Sequence, residues 1–119
     1  MTKPVIDISE GPAPTDLVIE DLTVGTGAEA KPGDRVEVHY VGVEYGTTDE
    51  FDSSWKRGES ITFPLDGLIQ GWQDGIPGMR EGGRRKLTIP PLQAYGPAGA
   101  GHPLSGKTLV FVIDLIKVG

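Results

Sequence analysis

The placement of glycine and proline constrains this chain more than any other feature. Eighteen glycines and ten prolines punctuate 119 residues, falling between apolar segments without any period. That is the spacing of a turn-rich β domain and not of a repeat array. Between these breaks the apolar residues alternate. Arg35 to Val43, RVEVHYVGV, is the clearest strand: Val36, Val38 and Tyr40 share one face, while Glu37 and His39 take the other. Arg84 to Ile89 alternates again, with Leu87 and Ile89 inward and Arg85 on the same parity at the strand's entrance. Asp16 to Val24 puts Leu17, Ile19 and Leu22 on one side, SITFPL supplies a short strand, and TLVFVIDLIKV closes the chain as a β-branched run. One segment reads as helical, Leu68 to Met79, where Leu68, Trp72 and Ile76 recur at i, i+4 and i+8 before Pro77-Gly78 stops it. The expected class is α+β, a mostly antiparallel sheet of about five strands wrapped on one short helix.

With 37% hydrophobic residues at this length, the chain can bury one core. One domain is expected over residues 16–119, with residues 1–15 as an N-terminal arm or a short edge strand. A net charge of -6 argues against nucleic acid or an anionic membrane as the main partner. In such an acidic protein the run Arg84-Arg85-Lys86 reads as the solvated face of a strand. There is no cysteine and there are only two histidines, which excludes a disulfide framework and leaves too little for a metal cluster. No metal or other cofactor is therefore expected. MTKPVIDISEGPAP contains no apolar run of signal-peptide or membrane length, and the expectation is a cytoplasmic monomer.

Six segments carry a resemblance: VHYVG at 38–42, EFDSSWKRG at 50–58, LIQGW at 68–72, GMREGGRRKLTIPP at 78–91, AYG at 94–96 and TLVFVIDLIKV at 108–118. In this order they resemble an FKBP-type peptidyl-prolyl isomerase of the small single-domain bacterial kind, over nearly the whole chain. The resemblance implies a twisted antiparallel sheet curling round one short helix, with the site between helix and sheet. It also implies catalysis of cis/trans exchange at X–Pro bonds, with proline-containing polypeptides as substrates and the macrolides tacrolimus and rapamycin as inhibitors. Carried over residue by residue, Tyr40, Phe51, Leu68, Ile69, Trp72, Tyr95 and Phe111 wall the pocket, with Trp72 under the proline ring. The Ile69 N–H meets a ligand carbonyl, and Asp52 sits near the twisting amide, held by Tyr40 and Arg57. Tyr95 offers its hydroxyl to a substrate carbonyl.

Taken alone, the residues leave blander readings open. Trp72 and Phe111 fit a plain core, Asp52 before Ser53-Ser54 fits a turn cap, and Asp52 with Arg57 fits a weak surface pair. His39 points away from the Tyr40 face and reads as inert, and His102 falls near the rim. Two departures from the family pattern bear on substrate and inhibitor preference. Ile61 stands where an aromatic residue is common, and the loop over the pocket reads Pro103-Leu104-Ser105-Gly106, one residue short, with Leu104 as its apolar contact. They support a competing reading, a proline-segment binding module that has lost turnover.

One motif stands outside this pattern. GHPLSGKT, Gly101 to Thr108, matches the phosphate-loop spacing G-x-x-x-x-G-K-[ST] letter for letter. Such a loop works by leaving a buried strand and entering a helix whose N–H groups face the phosphates. Here IPPLQAYGPAGA precedes it, a β-branched run follows it, and eleven residues remain after Thr108. The match is a coincidence of a glycine-rich loop. Calorimetry with ATP and GTP is expected to show no binding, and a micromolar isotherm would overturn this reading.

Overall fold

Alternation on the long strands calls for a sheet with one face against a helix, and the computed structural model, which describes residues 2–119, has it. Among the described residues there are six strands: β1 (Val18–Thr23), β2 (Arg35–Glu44), β3 (Glu50–Ser53), β4 (Ile61–Pro64), β5 (Arg84–Ile89) and β6 (Leu109–Val118). All pairings are antiparallel, in the order β1-β5-β6-β2-β3, and β4 also pairs β2, alongside Arg35–Val38. Two short helices, α1 (Ser54–Arg57) and α2 (Gln70–Gly75), complete the fold. The α+β class is as expected. The additional strand, β3, and α1 both come from EFDSSWKR, whose apolar content is too low to show alternation.

The concave face buries Val36, Val38 and Tyr40 of β2, Leu87 and Ile89 of β5, and Leu109, Phe111, Ile113 and Leu115 of β6 against Trp72 and Ile76 of α2. The approach is close. A Cβ on Gly71 would lie 2.5 Å from Ile89 Cγ2, and one on Gly75 would lie 2.7 Å from Leu87 Cδ1. The two glycines that weaken helix propensity are thus what lets α2 rest on the sheet.

The helix expected over Leu68–Met79 is shorter than its apolar spacing suggested. Leu65–Gly67 forms a separate 3-10 turn, and Leu68 and Ile69 are extended (ψ 171° and 151°) before α2 begins. Strand β1 also departs from expectation. It lies at the sheet edge, and α2 packs on β5, one strand further in, so Ile19 remains 45% exposed; Leu22, 47% exposed, falls at a register shift between Asp21 and Thr23 and leaves the parity of Ile19. Leu17 does pack on the core.

The run Arg84-Arg85-Lys86 is not a solvated face. Arg85 shares the inward parity of Leu87 and Ile89 and is buried. It donates to Asp21 Oδ1 (2.6 Å) and to the carbonyls of Gly75 (2.8 Å) and Pro77 (3.2 Å), satisfying oxygens at the C-terminal end of α2 that would otherwise be orphaned. Arg84 points to the other face, where it grips the buried Asp114 with both Nε (2.6 Å) and Nη2 (3.1 Å).

That convex face has its own apolar cluster, Val41 and Val43 of β2 with Val110 and Val112 of β6, covered by Ile6, Tyr45 and Trp55. The segment before β1 contains neither helix nor strand among the described residues, yet it is held down. Ile6 is buried, Lys3 pairs with Glu50 at 2.8 Å, and Tyr45 Oη donates to the Glu10 carbonyl at 2.9 Å. Among the described residues, no helix is long and apolar enough to cross a membrane.

In an ordinary helix interior Gly→Ala stabilises by up to about 1 kcal/mol. Gly71→Ala should have the opposite sign, because the three nearest atoms all belong to the stiff, fully buried Ile89. A loss of about 1–3 kcal/mol, the usual cost of overpacking, is expected from urea unfolding monitored by Trp fluorescence.

Candidate active site

Between α2, β3 and the concave face lies an open cavity of about 230 Å³. Its walls are Tyr40, Phe51, Phe63, Leu68, Ile69, Trp72, Tyr95 and Phe111, with Asp52 at the polar side. Each wall residue has a local cause. Tyr40 and Phe111 point inward because of strand parity on β2 and β6, where Gly42 faces Phe111 across the ladder. Gly42 carries no side chain because there is no room for one: a Cβ there would lie 2.6 Å from Phe51 Cζ and 2.8 Å from Phe111 Cε1.

Three rings meet the Trp72 indole edge to face: Tyr40 at 5.2 Å and 81°, Phe111 at 5.2 Å and 88°, and Phe63 at 6.0 Å and 89°. Phe51 meets Phe111 the same way, at 5.4 Å and 86°. This is the arrangement the ring quadrupoles favour, and it fixes the rings around an open centre. The Trp72 indole N–H is buried and has no hydrogen-bond partner among the described residues.

On the polar side, Tyr40 Oη donates to Asp52 Oδ2 (2.7 Å), Arg57 Nη1 donates to Asp52 Oδ1 (2.6 Å), and Arg57 Nη2 donates to Tyr40 Oη (3.0 Å). Partial burial works against the charged form of Asp52, but the hydrogen bonds from Tyr40 and Arg57 outweigh it and hold the carboxyl below its ordinary pKa. Burial and the neighbouring Asp52 push Tyr40 above its usual value, and Tyr95 moves up for the same two reasons. Hydrogen bonds to Asp52 and Tyr40 raise Arg57 further still. At neutral pH the set is one carboxylate, one guanidinium and two neutral phenols.

The backbone beneath this set is pinned from the side. Ser54 Oγ accepts from the Tyr40 N–H (2.7 Å) and also lies 3.3 Å from the Tyr40 carbonyl, adding a side-chain rung where β2 passes from β4 to β3. His39, expected to be inert, bonds Ser54 Oγ through Nδ1 (2.8 Å) and stacks on Trp55 (4.1 Å). Ser53 caps α1 by accepting from the Lys56 N–H.

Of the candidate residues, Tyr40, Phe51, Asp52, Leu68, Ile69, Trp72, Tyr95 and Phe111 come together around the cavity, and Arg57 reaches it through Asp52 and Tyr40. Ile61 and Leu104 do not line it; both pack, half-buried, on the core cluster. Phe63 was missed as a wall. It shares Ile61's face of a four-residue strand, a pairing too short to announce itself by alternation. Ile69 is the N-cap of α2, with its carbonyl taken by the N–H groups of Trp72 (3.0 Å) and Gln73 (3.2 Å). His102 stacks on Tyr95 at 4.0 Å and 8°, and its Nδ1 accepts from the Leu104 N–H (3.0 Å). GHPLSGKT runs directly into β6 with no helix after it, so its flanks are not those of a phosphate loop.

Comparison with known proteins gives the family of the chain. The chain is 69% identical to a probable FK506-binding protein of Corynebacterium glutamicum over 98% of this chain and 99% of that one. It is 48% identical to an FK506-binding protein of Streptomyces anulatus, covering 98% and 97% respectively. Among solved structures, FkpA from Escherichia coli superposes with a TM-score of 0.78 at 42% identity, over 86% of this chain and 47% of FkpA. Residues 27–116 match the family described as FKBP-type peptidyl-prolyl cis-trans isomerase, which takes in every residue that lines the cavity, and the chain belongs to that family of enzymes.

Proposed function

We propose that the aromatic cavity is where this enzyme turns X–Pro bonds, and that it does so by solvation and shape with no bond made or broken. The observation that carries this is the set of rings standing edge-on around Trp72, with a paired carboxylate at one side. A planar amide resists rotation by about 18–20 kcal/mol because its nitrogen lone pair is delocalised. As it twists, the nitrogen regains its lone pair and the carbonyl becomes ketone-like, so the transition state is less polar than the ground state. Walls of Phe51, Phe63, Trp72 and Phe111 favour that less polar state and exclude the water that stabilises the planar form. In this mechanism the prolyl ring rests on Trp72, and the Ile69 N–H and the Tyr95 hydroxyl donate to flanking carbonyls. The Asp52 carboxylate faces the carbonyl carbon, which becomes more electrophilic on twisting. Each tenfold in rate needs about 1.4 kcal/mol of such preference for the twisted state.

The same cavity is proposed to take tacrolimus and rapamycin, a reading supported by the naming of two relatives as FK506-binding proteins. We further infer a monomer acting in the cytoplasm, in keeping with a chain that has no cysteine.

NMR exchange on a Leu-Pro peptide tests the reading. Exchange accelerated well beyond the spontaneous tens to hundreds of seconds, and blocked by tacrolimus, is expected. Binding without acceleration would instead establish the rival, a proline-segment binder without turnover. Asp52→Ala should lower kcat/KM by about three- to tenfold. Phe111→Leu, which keeps a buried apolar residue at a site only 3% exposed, should lower it more than about tenfold with the fold intact by circular dichroism. Unchanged rates in both would sink the site.

The pKa directions set the pH profile. A lowered Asp52 keeps its charge, and whatever that charge contributes, at every pH above its ordinary value near 4, losing it only as pH falls through the lower folded value. Raised Tyr40 and Tyr95 keep their protons up to the ordinary value near 10 and lose them only as pH rises through the higher folded values. The kcat/KM should therefore be flat between about pH 5 and pH 9. A midpoint near neutrality would show that another group controls the rate.

A further inference from the structure

A second groove, of about 220 Å³, opens beside the catalytic cavity, lined by Glu50, Phe51, Asp52, Ser53, Lys56 and Arg57. It shares Phe51 and Asp52 with that cavity, so the two adjoin along β3. A polypeptide whose prolyl ring sits on Trp72 must leave on either side, and at about 3.3–3.6 Å per extended residue it crosses a groove of this size within one or two residues.

The charges in the groove are unequally engaged. Glu50 is tied to Lys3 at 2.8 Å and Asp52 to Arg57 at 2.6 Å. Lys56 makes no ion pair among the described residues. Its root is fixed, because its N–H is held by Ser53 Oγ at the cap of α1, while the side chain is exposed. In a protein of net charge -6, an unengaged cation next to the active site runs against the general background. Phe51 is the one apolar residue lining this groove.

We propose that this groove is a second substrate subsite, in which Lys56 selects a carboxylate side chain, Asp or Glu, within two residues of the isomerised proline. The proposal rests on the isomerase reading and adds a substrate preference to it.

The test is a set of short peptides in which Glu, Gln or Lys is placed in turn at each of the four positions within two residues of one proline. Exchange rates and dissociation constants are read by NMR on the same samples. Acceleration of the Gln peptides tests the isomerase reading. The Glu-to-Lys ratio tests the subsite, and it can be read from the dissociation constants even without turnover. At low ionic strength one position should favour Glu over Lys by about three- to tenfold, since an exposed pair is worth up to about fivefold and Lys at that position replaces attraction with repulsion. The preference should collapse in about 0.5 M salt, where the screening length falls to a few ångströms. Lys56→Glu should invert the ratio, whereas Lys31→Glu, the same charge change on an exposed lysine away from the groove, should leave it as it is. A ratio near one at all four positions, or a ratio that Lys56→Glu does not move, overturns the proposal.

Discussion

The contact on which the cavity depends is the one between α2 and β5. Gly71 lies on Ile89 with no space for a methyl group between them, and the next residue is Trp72. The depth of the indole is therefore set by helix backbone meeting a β-branched side chain that full burial leaves little room to turn. Ile76, one turn on, fills the space beneath, and Arg85 closes the far end by bonding the Gly75 and Pro77 carbonyls. If the helix stood further off, the indole would withdraw and the three rings that meet it edge to face would lose their common partner.

Three arginine–aspartate pairs sit at different depths and do different work. Asp114 is almost wholly buried, and Asp21 reaches a buried Arg85, so breaking either pair would strand a desolvated charge. Pairs of this kind are weak evidence of net stabilisation, but here they tie separate elements: Arg84 joins β5 to β6, and Arg85 joins β5 to β1 and α2. The third pair, Arg57 with Asp52, is half-exposed, and a surface pair is worth little on its own. The Tyr40 hydroxyl changes this, since it donates to the carboxylate and accepts from the guanidinium and so orders both. Tyr40 and Arg57 together outweigh the burial of Asp52 and hold its pKa below the ordinary value.

Much of this was legible in the sequence, for identifiable reasons. Parity on RVEVHYV, RRKLTI and the closing run fixed which residues share a face, and the concave core follows directly. Eight of the wall and polar residues followed from motif positions. Alternation does not say what covers a face, however. Leu17 and Ile19 alternate as core residues do, yet Ile19 lies on an edge strand beyond the helix and stays exposed. Arg85 has inward parity, but its partners, the carbonyls ending α2, are known only once the helix has landed on the sheet. Phe63 belongs to a strand of four residues whose burial is decided by pairing with β2, and Ile61 on the same face points to core and not to cavity. In each case the missing information is long-range: which element lies over which.

The reaction asks little of a protein in chemical groups and much in rigidity, because a cavity that relaxes around the planar amide gives up its preference for the twisted one. Strand β2 meets that demand from both sides. Its even residues, Val36, Val38 and Tyr40, are locked into the concave core, while Val41 and Val43 are locked into the convex cluster under Ile6 and Trp55. The Ser54 hydroxyl supplies a rung at Tyr40, between the β4 and β3 pairings, and His39 braces that hydroxyl from the convex side. The convex core, on the face of the sheet opposite the cavity, is thus part of the same device. It denies β2 the freedom to follow the substrate, and it accounts for why a small chain keeps residues before its first strand packed on the back of the sheet.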